Sequence, residues 1–323
     1  ALERLQGRLT AHALPGTPTH AAECRDGHEP YPWRTHMKLS RNVAGWLNVT
    51  PLLVILIPFF IVPICVILAV SFMQTDGFGG IFPDFTLENY IGVFTSDLTF
   101  RLYYETMKFT LLTLFFTAII GFWIAYFLVF HVRSKILAMG LFLVCTVPFW
   151  TSNIIRMISW IPLLGKEGLI NTGLQGAGVI DQPLTFLLFS PFSVVVAYVH
   201  QLTIFMIVPI FNSLSRIDKR VVEAALDAGA SRFDILRLII LPMSKSGIAL
   251  GAIFVVSIVM GDFFVVKVMS GGGTASVVGA FYEDVSVLQY PTAAASAIIL
   301  TVVVMLLVAA ILRVVDIRKE ISL

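Results

Sequence analysis

Asp262 is the side chain whose type and position most clearly predict chemistry. It is a carboxylate just after the apolar run of residues 254–260, and Phe263 follows it. A carboxylate beside an aromatic ring can bind an amine by charge pairing and by cation–π contact. We therefore predict that Asp262 contacts a small cationic ligand. The alternatives are a structural carboxylate that pairs with Arg156 or Lys267, or one that faces water.

Arg156 is a second candidate, because its guanidinium can bind a carboxylate ligand or pair with Asp262. Four weaker candidates for ligand contact are aromatic or acidic: Trp150, Trp160, Tyr282 and Glu283. An aromatic side chain on its own is more often an anchor at a membrane surface. His200 precedes Gln201 in an apolar run, which favours a hydrogen bond between packed helices over a proton relay.

The sequence does not indicate metal, nucleotide or enzyme chemistry. The three cysteines, Cys24, Cys65 and Cys145, share no short spacing, so neither a zinc site nor a disulfide framework is predicted. Four histidines recur every eight residues in a Pro-rich stretch, a spacing that fixes no coordination geometry: His12, His20, His28 and His36. The phosphate-binding pattern Gly-x-x-x-x-Gly-Lys-Ser/Thr does not occur. We predict no catalytic residue, no metal and no cofactor bound by this chain.

The elements that must position these side chains are membrane helices. Of the 323 residues, 57% are hydrophobic and only 13% are charged, about half the charged fraction of a soluble domain. The apolar residues fall in blocks of twenty or more, a length that crosses a bilayer as a helix. Six spans are predicted, at residues 46–73, 103–130, 136–159, 187–213, 238–263 and 291–315. The net charge of +2 does not suggest a nucleic-acid partner.

The distribution of lysine and arginine predicts the orientation of the spans. These residues concentrate before span one, between spans two and three, between spans four and five, and after span six, for example Lys38, Arg133, Arg220 and Arg318. The other loops are richer in acids, such as Asp97 and Asp284. Because cationic loops stay in the cytoplasm, we predict that both termini and the loop 214–237 are cytoplasmic.

The chain is expected to have two parts. Residues 1–40 are rich in Pro, His and Gly and contain no apolar run, which is typical of a disordered cytoplasmic tail. Met37, followed by Lys38, would be a natural start for the membrane protein. Residues 41–323 form the transmembrane domain.

The loop between spans four and five is predicted to contain two short helices. Strong helix formers occupy residues 217–228, and Gly229 stands where a helix end needs the left-handed conformation. Ser231 and Asp234 resemble a capping box for a second helix, which would carry Phe233 on one side and continue into span five. Alanines 224, 225 and 228 give the first helix a face with little side-chain bulk, which allows another protein to approach closely.

This loop resembles the EAA motif of bacterial binding-protein-dependent ABC importer permeases. The matching residues are Glu223-Ala224-Ala225, Gly229, Ile239, Leu241 and Pro242. The resemblance implies an all-α integral membrane protein with six transmembrane helices, the type I ABC importer permease fold, and a cytoplasmic coupling helix. It implies that the ATPase is contacted by residues of this loop: Glu223, Ala224, Ala225, Gly229, Arg232 and Phe233.

The resemblance extends over most of residues 40–320. Residues 85–90 resemble a segment that is common in these permeases. Other segments are similar to the spermidine/putrescine subfamily: residues 148–152, Arg156, Trp160, residues 164–165, 168–171 and 261–263, the last reading Gly-Asp-Phe, together with Tyr290-Pro291. Two departures are Val265-Val266-Lys267, where relatives often have a proline, and Tyr290, where many have tryptophan. The subfamily implies a polyamine cargo.

The resemblance also implies partners and a location. A permease of this kind is a non-catalytic, multi-pass subunit of the bacterial inner membrane. Its partners would be an ABC ATPase dimer that holds ATP and Mg, a second homologous permease in a heterodimer, and a periplasmic substrate-binding protein. An amino-acid derivative such as 4-aminobutyrate or an opine is the alternative cargo.

Other classes of membrane protein explain less of the sequence. A secondary transporter would show an internal repeat and broken spans with several buried charges. A membrane enzyme would need a cluster of His, Asp or nucleophilic residues at one depth. A scaffold would leave the EAA motif without a role.

Overall fold

A computed structural model describes residues 41–76 and 78–315 of the chain. The predicted tail of residues 1–40, with its four histidines and Lys38, lies outside the described residues, as does Arg318. The chain divides after Leu56 into two units. Of the first unit the structure describes one helix, α1, Arg41–Leu56.

The regular structure of the second unit, as far as the structure describes it, is helical except for two strands of two residues each. The strands are β1, Gln74–Thr75, and β2, Ile81–Phe82, which pair antiparallel with Gln74 opposite Phe82. The helices up to residue 176 are α2 Val62–Val70, α3 Glu88–Thr95, α4 Asp97–Tyr126, α5 Lys135–Thr146, α6 Asn153–Ile158, α7 Ile161–Leu164 and α8 Leu169–Gly176. The later helices are α9 Pro191–Leu214, α10 Lys219–Asp227, α11 Arg232–Ile235, α12 Leu241–Met243, α13 Lys245–Met260, α14 Phe264–Met269, α15 Val277–Ser286 and α16 Tyr290–Val314.

Four short segments continue these helices with a different winding. Three are wide π-helical turns, Ile57–Ile61, Phe127–His131 and Leu236–Ile240. The fourth, Val147–Trp150, is a tight 3₁₀ turn whose second residue is Pro148.

Among the described residues, four helical stretches are long and apolar enough to cross a membrane. They are Val49–Val70, Asp97–His131, Pro191–Leu214 and Tyr290–Val314. Two bent pairs qualify if each is counted as one span, Lys135–Trp150 with Asn153–Gly176 and Arg232–Met243 with Lys245–Met260. The structure therefore contains four to six candidate spans.

The third and fifth predicted spans are not the straight helices that their hydropathy suggested. Span 136–159 breaks at Thr151 and Ser152, after the turn that contains Pro148, and the chain then changes direction by 92°. Span 238–263 breaks at Ser244, with a bend of 60° before α13. A run of apolar residues defines where a chain can be in a bilayer but does not show that its helix is continuous.

The core of the second unit lies where α9 packs against α4 and α13. Its largest fully buried side chains include Tyr198, Phe109, Leu202 and Met206. Glycines allow the helices to approach closely here. A Cβ atom on Gly121 of α4 would lie 2.8 Å from Met206 Cγ, and one on Gly251 of α13 would lie 2.4 Å from Met206 Sδ.

Candidate functional site

Arg156 is a buried cation with no counter-charge among the described residues. It lies in the short helix α6, after the break that ends span three, and its exposed fraction is 9%. Nη2 donates a hydrogen bond to Asn153 Oδ1, whereas Nε and Nη1 are buried and have no acceptor among the described residues. The ion pair with Asp262, which the sequence analysis kept as an alternative, is not formed. Among the described residues the one ion pair within 4.0 Å is Lys108–Glu105.

Arg156 lines a cavity of about 610 Å³ between α4, α5 and α9. The walls are apolar, with side chains such as Phe116, Ile120 and Val199. The polar side chains that line it are few, and they include Trp160, His200 and Gln201. The cavity therefore combines long apolar walls with a small group of hydrogen-bonding side chains, the usual composition of a site for a small molecule.

Trp160 and His200 are joined by a hydrogen bond across this cavity. Trp160 Nε1 donates to His200 Nδ1 over 3.2 Å, and the two rings meet edge to face with their centroids 5.5 Å apart. A neutral imidazole that accepts at Nδ1 carries its proton on Nε2, so His200 offers an N–H donor from its other nitrogen. This contact supports the interpretation of His200 as a hydrogen-bonding residue between packed segments.

Asp262 has structural partners. Its Oδ1 atom accepts a hydrogen bond from the backbone amide of Val265 (2.9 Å), at the start of α14, and one from the hydroxyl of Tyr198 (3.4 Å). The carboxylate is half-buried. Neither Arg156 nor Lys267 pairs with it. Asp262 thus fixes the first turn of α14 to α9, and Tyr198 is a partner that the sequence analysis did not identify.

Tyr282 belongs to a separate group of aromatic and cationic side chains. Its ring stacks on Phe263 with centroids 5.0 Å apart, and Lys267 Nζ lies 5.2 Å from the centre of the same ring. Both Tyr282 and Lys267 are exposed.

The two remaining predicted pathway residues, Trp150 and Glu283, are also exposed, and neither lines the Arg156 cavity. Trp150 closes the 3₁₀ turn before the break in span three. Beside Glu283, burial raises the pKa of Asp284, and the Glu283 carboxylate raises it further.

Asn171 holds in place the segments of chain before and after α8. It is fully buried in α8, where Nδ2 donates to the carbonyl oxygens of Gly165 (3.0 Å) and Leu184 (3.2 Å). Its Oδ1 accepts from the backbone amide of Leu184 (2.8 Å). One side chain therefore holds together the loops on both sides of α8.

Replacing Asn171 by leucine is expected to lower the free energy of unfolding by about 2–4 kcal/mol, because three partly buried backbone groups lose their partner. The measurement is the melting temperature of the purified protein in detergent. Asn212→Leu is the matched control, since Asn212 is exposed in α9, and it should change stability by less than about 0.5 kcal/mol. Equal melting temperatures for the two variants would contradict the role given to Asn171.

The loop 214–237 contains the two short helices that its sequence predicts. Helix α10 begins after Asp218, whose side chain accepts from the amide of Arg220 over 3.0 Å. Gly229 has a φ of +85°, the left-handed conformation expected after a helix end. Ser231 and Asp234 form the capping box of α11, with each side chain accepting from the other residue's amide. The second helix does not run straight into span five, because of the break at Ser244.

The two faces of α10 differ. Glu223, Ala224 and Ala228 are exposed, whereas Ala225 is half-buried and packs against the core. Arg232 is exposed at the start of α11, and next to it Phe233 is 66% exposed. An exposed aromatic ring beside a bulk-free helix face is the composition of a surface that another protein covers. Ala225 is less exposed than its neighbour Ala224 and lies on the core side of the helix.

Comparisons with known proteins agree with this architecture. Residues 119–321 match the family model described as "Binding-protein-dependent transport system inner membrane component". The chain is 31% identical, over 75% of its length and 83% of the relative's, to the spermidine/putrescine transport system permease protein PotB of Haemophilus influenzae. It is also 31% identical to PotB of Escherichia coli K12, over 71% of this chain and 79% of that one.

A solved structure has the same fold at low sequence identity. A chain of the bacterial alginate ABC transporter, in complex with an alginate pentasaccharide-bound periplasmic protein, superposes with a TM-score of 0.66. It is 16% identical, and the match covers 84% of this chain and 93% of that one. Together with the family match, these similarities show that the chain belongs to the binding-protein-dependent transport system inner membrane components, the permease subunits of ABC importers.

Proposed function

We propose that the chain is the transmembrane subunit of an ATP-driven importer, which takes a small amine from a periplasmic binding protein. The observation that carries the proposal is the surface of α10 and α11. There the EAA residues Glu223 and Ala224 are exposed beside Phe233, and Gly229 ends α10 in the left-handed conformation. This surface seats the ATPase, with the site residues Glu223, Ala224, Gly229, Arg232 and Phe233, and Ala225 behind them.

The proposed mechanism is alternating access. An ATPase dimer binds ATP and Mg, and its closure moves the coupling helices and turns the cavity toward the binding protein. A second, homologous permease completes the pathway as a heterodimer. Both termini and the loop 214–237 face the cytoplasm, as the positions of lysine and arginine indicate. A docked helix can drive such a change only if its contacts differ between the two states.

The cargo proposed from the relatives is a polyamine, because the two permeases compared above are named for spermidine and putrescine transport. An amino-acid derivative such as 4-aminobutyrate or an opine is the second candidate, and the unpaired Arg156 favours it. The proposed pathway residues are Asp262, Arg156, Trp150, Trp160, Tyr282 and Glu283.

The test is ATPase stimulation. The chain is co-purified with the products of neighbouring genes, placed in nanodiscs with the neighbouring binding protein, and supplied with polyamines, 4-aminobutyrate or opines. Stimulation by one of these solutes would support an ATP-driven importer. If no ATPase co-purified, and uptake in vesicles followed an ion gradient without ATP, the chain would be a secondary transporter and the proposal would be wrong.

Replacing Glu223 by lysine is expected to weaken binding of the ATPase, because the exposed carboxylate of α10 is exchanged for a cation. The measurement is the amount of ATPase that co-purifies with an affinity-tagged permease. Asp227→Lys, at an exposed position near the end of the same helix, is the control for net charge. Equal recovery of the ATPase with wild-type and the Glu223 variant would contradict the assignment of this residue.

A further inference from the structure

A second, smaller cavity lies between α3, α4, α15 and α16. Its volume is about 210 Å³, and it shares no lining residue with the Arg156 cavity. Its lining is rich in polar side chains for so small a space, with one carboxylate and five hydroxyl groups. These belong to Ser96, Thr99, Tyr103, Asp284, Thr292 and Ser296. The composition is that of a site that surrounds a polar ligand with oxygen atoms.

Asp284 gives this cavity a negative charge that no described side chain balances. It is half-buried, and no described lysine, arginine or histidine nitrogen lies within 4.0 Å of its carboxylate. It lies in the last turn of α15, where the backbone carbonyl groups make the helix end negative, and no basic residue lies in that turn. Burial and the neighbouring Glu283 both raise the pKa of Asp284, so its surroundings disfavour the anion. A bound cation would offset all of these effects.

The hydroxyl groups of the cavity have oxygen lone pairs available. The hydroxyl of Tyr103 is buried and has no hydrogen-bond partner among the described residues. Such a group is unfavourable by about 1–3 kcal/mol unless a ligand binds it. Thr292 Oγ1 donates to Asn89 Oδ1 over 3.5 Å, and Ser96 Oγ accepts from the amide of Thr99 over 3.4 Å. These long hydrogen bonds leave further lone pairs on both hydroxyl oxygens.

The chemistry of the lining selects a hard cation with a single charge. Its described residues include no histidine, no cysteine and no second carboxylate, so the ligands that zinc and other transition metals prefer are missing from them. Carboxylate and neutral oxygens are ligands of hard cations. A divalent ion beside one carboxylate would leave a net positive charge in a partly buried site, which is unfavourable. A monovalent ion would be neutralised.

We propose that this cavity binds a monovalent alkali-metal cation, with Na⁺ as the ion to test. The carboxylate of Asp284 supplies the counter-charge, and hydroxyl oxygens such as those of Tyr103, Thr99 and Ser296 supply neutral ligands. Because these residues belong to α4, α15 and α16, the ion links three helices. The site uses neither the Arg156 cavity nor the EAA surface, so the inference goes beyond the proposed function and does not depend on it.

Stabilisation by Na⁺ is the measurement, and it needs only the purified chain in detergent. Thermal unfolding is followed in mixtures of NaCl and choline chloride at one total concentration, so that ionic strength stays constant. The protein should become more stable as Na⁺ replaces choline, until the effect saturates. At a Na⁺ concentration about ten times its Kd, the unfolding equilibrium constant should be about elevenfold lower than in choline.

Variants locate the effect in the cavity. Asp284→Asn should abolish the response to Na⁺, yet in choline it should be at least as stable as wild-type, because the unbalanced carboxylate is gone. A purely structural carboxylate would instead make this variant less stable in both salts. Asp181→Asn, which removes an exposed acid outside the cavity, should keep the full response.

Tyr103→Phe is an independent test if Asp284→Asn does not fold. It removes one oxygen ligand and should raise the Kd of Na⁺ about three- to tenfold. In choline its stability should equal that of wild-type, because the lost hydroxyl has no partner among the described residues.

Four results would overturn the proposal. The first is equal stability of wild-type protein in NaCl and in choline chloride, and the second is a response to Na⁺ that survives in Asp284→Asn. The third is a larger stabilisation by CaCl₂ at the same ionic strength, which would contradict the single charge. The fourth is stabilisation by putrescine and not by Na⁺, which would show that the cavity binds an amine.

Discussion

Replacing Gly229 by aspartate is expected to lower ATP-driven uptake by about five- to thirtyfold, since an L-residue in the left-handed conformation costs about 1–2 kcal/mol. Gly229 has a φ of +85°, and a Cβ atom there would meet nothing within 4 Å. The cost therefore arises from the backbone alone. The turn between α10 and α11 would relax, and the EAA surface would lose the geometry that a rigid docked helix requires. Insertion into the membrane should be unchanged.

A matched control separates the coupling defect from backbone strain in general. Gly178, outside the EAA loop, has a φ of +69° and is equally free of steric contact. Gly178→Asp should cost a similar free energy, yet it should leave uptake within about twofold of wild-type for the same amount of inserted protein. Uptake is measured in proteoliposomes with the complete complex. Full uptake by the Gly229 variant would show that α10 does not couple the permease to an ATPase.

The second large effect is expected from Gly247→Ala, at the contact of α13 with α9. The new Cβ atom would lie 2.5 Å from the carbonyl oxygen of Pro209 and 2.9 Å from Ile210 Cα. Both are backbone atoms, which cannot rotate away. The two helices must separate, and we expect a loss of about 1–3 kcal/mol in stability, as for other overpacked cores. The melting temperature of the purified protein in detergent reports this change.

Substitutions at two other glycines serve as comparisons for the loss of stability expected from Gly247→Ala. At Gly251 the nearest atom to a new Cβ is Met206 Sδ, at the end of a flexible side chain, so Gly251→Ala should cost less than Gly247→Ala. Gly140 in α5 has no atom within 4 Å of its Cβ position, and Gly140→Ala should stabilise its helix by up to about 1 kcal/mol. A melting temperature for Gly247→Ala equal to that of Gly140→Ala would contradict the close packing of α9 and α13.

Short sequence patterns were sufficient to predict structural features that depend only on neighbouring residues. The left-handed Gly229 and the capping box of Ser231 with Asp234 were predicted, because each depends on residues within one or two turns. Family membership was also predicted, because the residues of the EAA motif stand at the spacing that the motif requires. The match to the family model confirms that prediction.

Contacts between distant residues could not be predicted in the same way. The hydrogen bond from Trp160 to His200 joins residues 40 positions apart, and that from Tyr198 to Asp262 joins residues 64 apart. In the sequence Asp262 is an isolated carboxylate. In the structure it accepts hydrogen bonds from the amide of Val265 and the hydroxyl of Tyr198. The break at Thr151 was missed because hydropathy is insensitive to helix direction.

The wide turn at Leu236–Ile240 has a consequence for how motion can pass from α10 and α11 to α13. A π-helical turn holds an extra residue compared with the α-helical turns around it. Each residue of an α-helix accounts for about 100° of rotation about the axis. Conversion of this single turn to α-helical winding would therefore twist the segment before it against the segment after it by about 100°. The link between the EAA surface and the membrane can transmit torque as well as displacement.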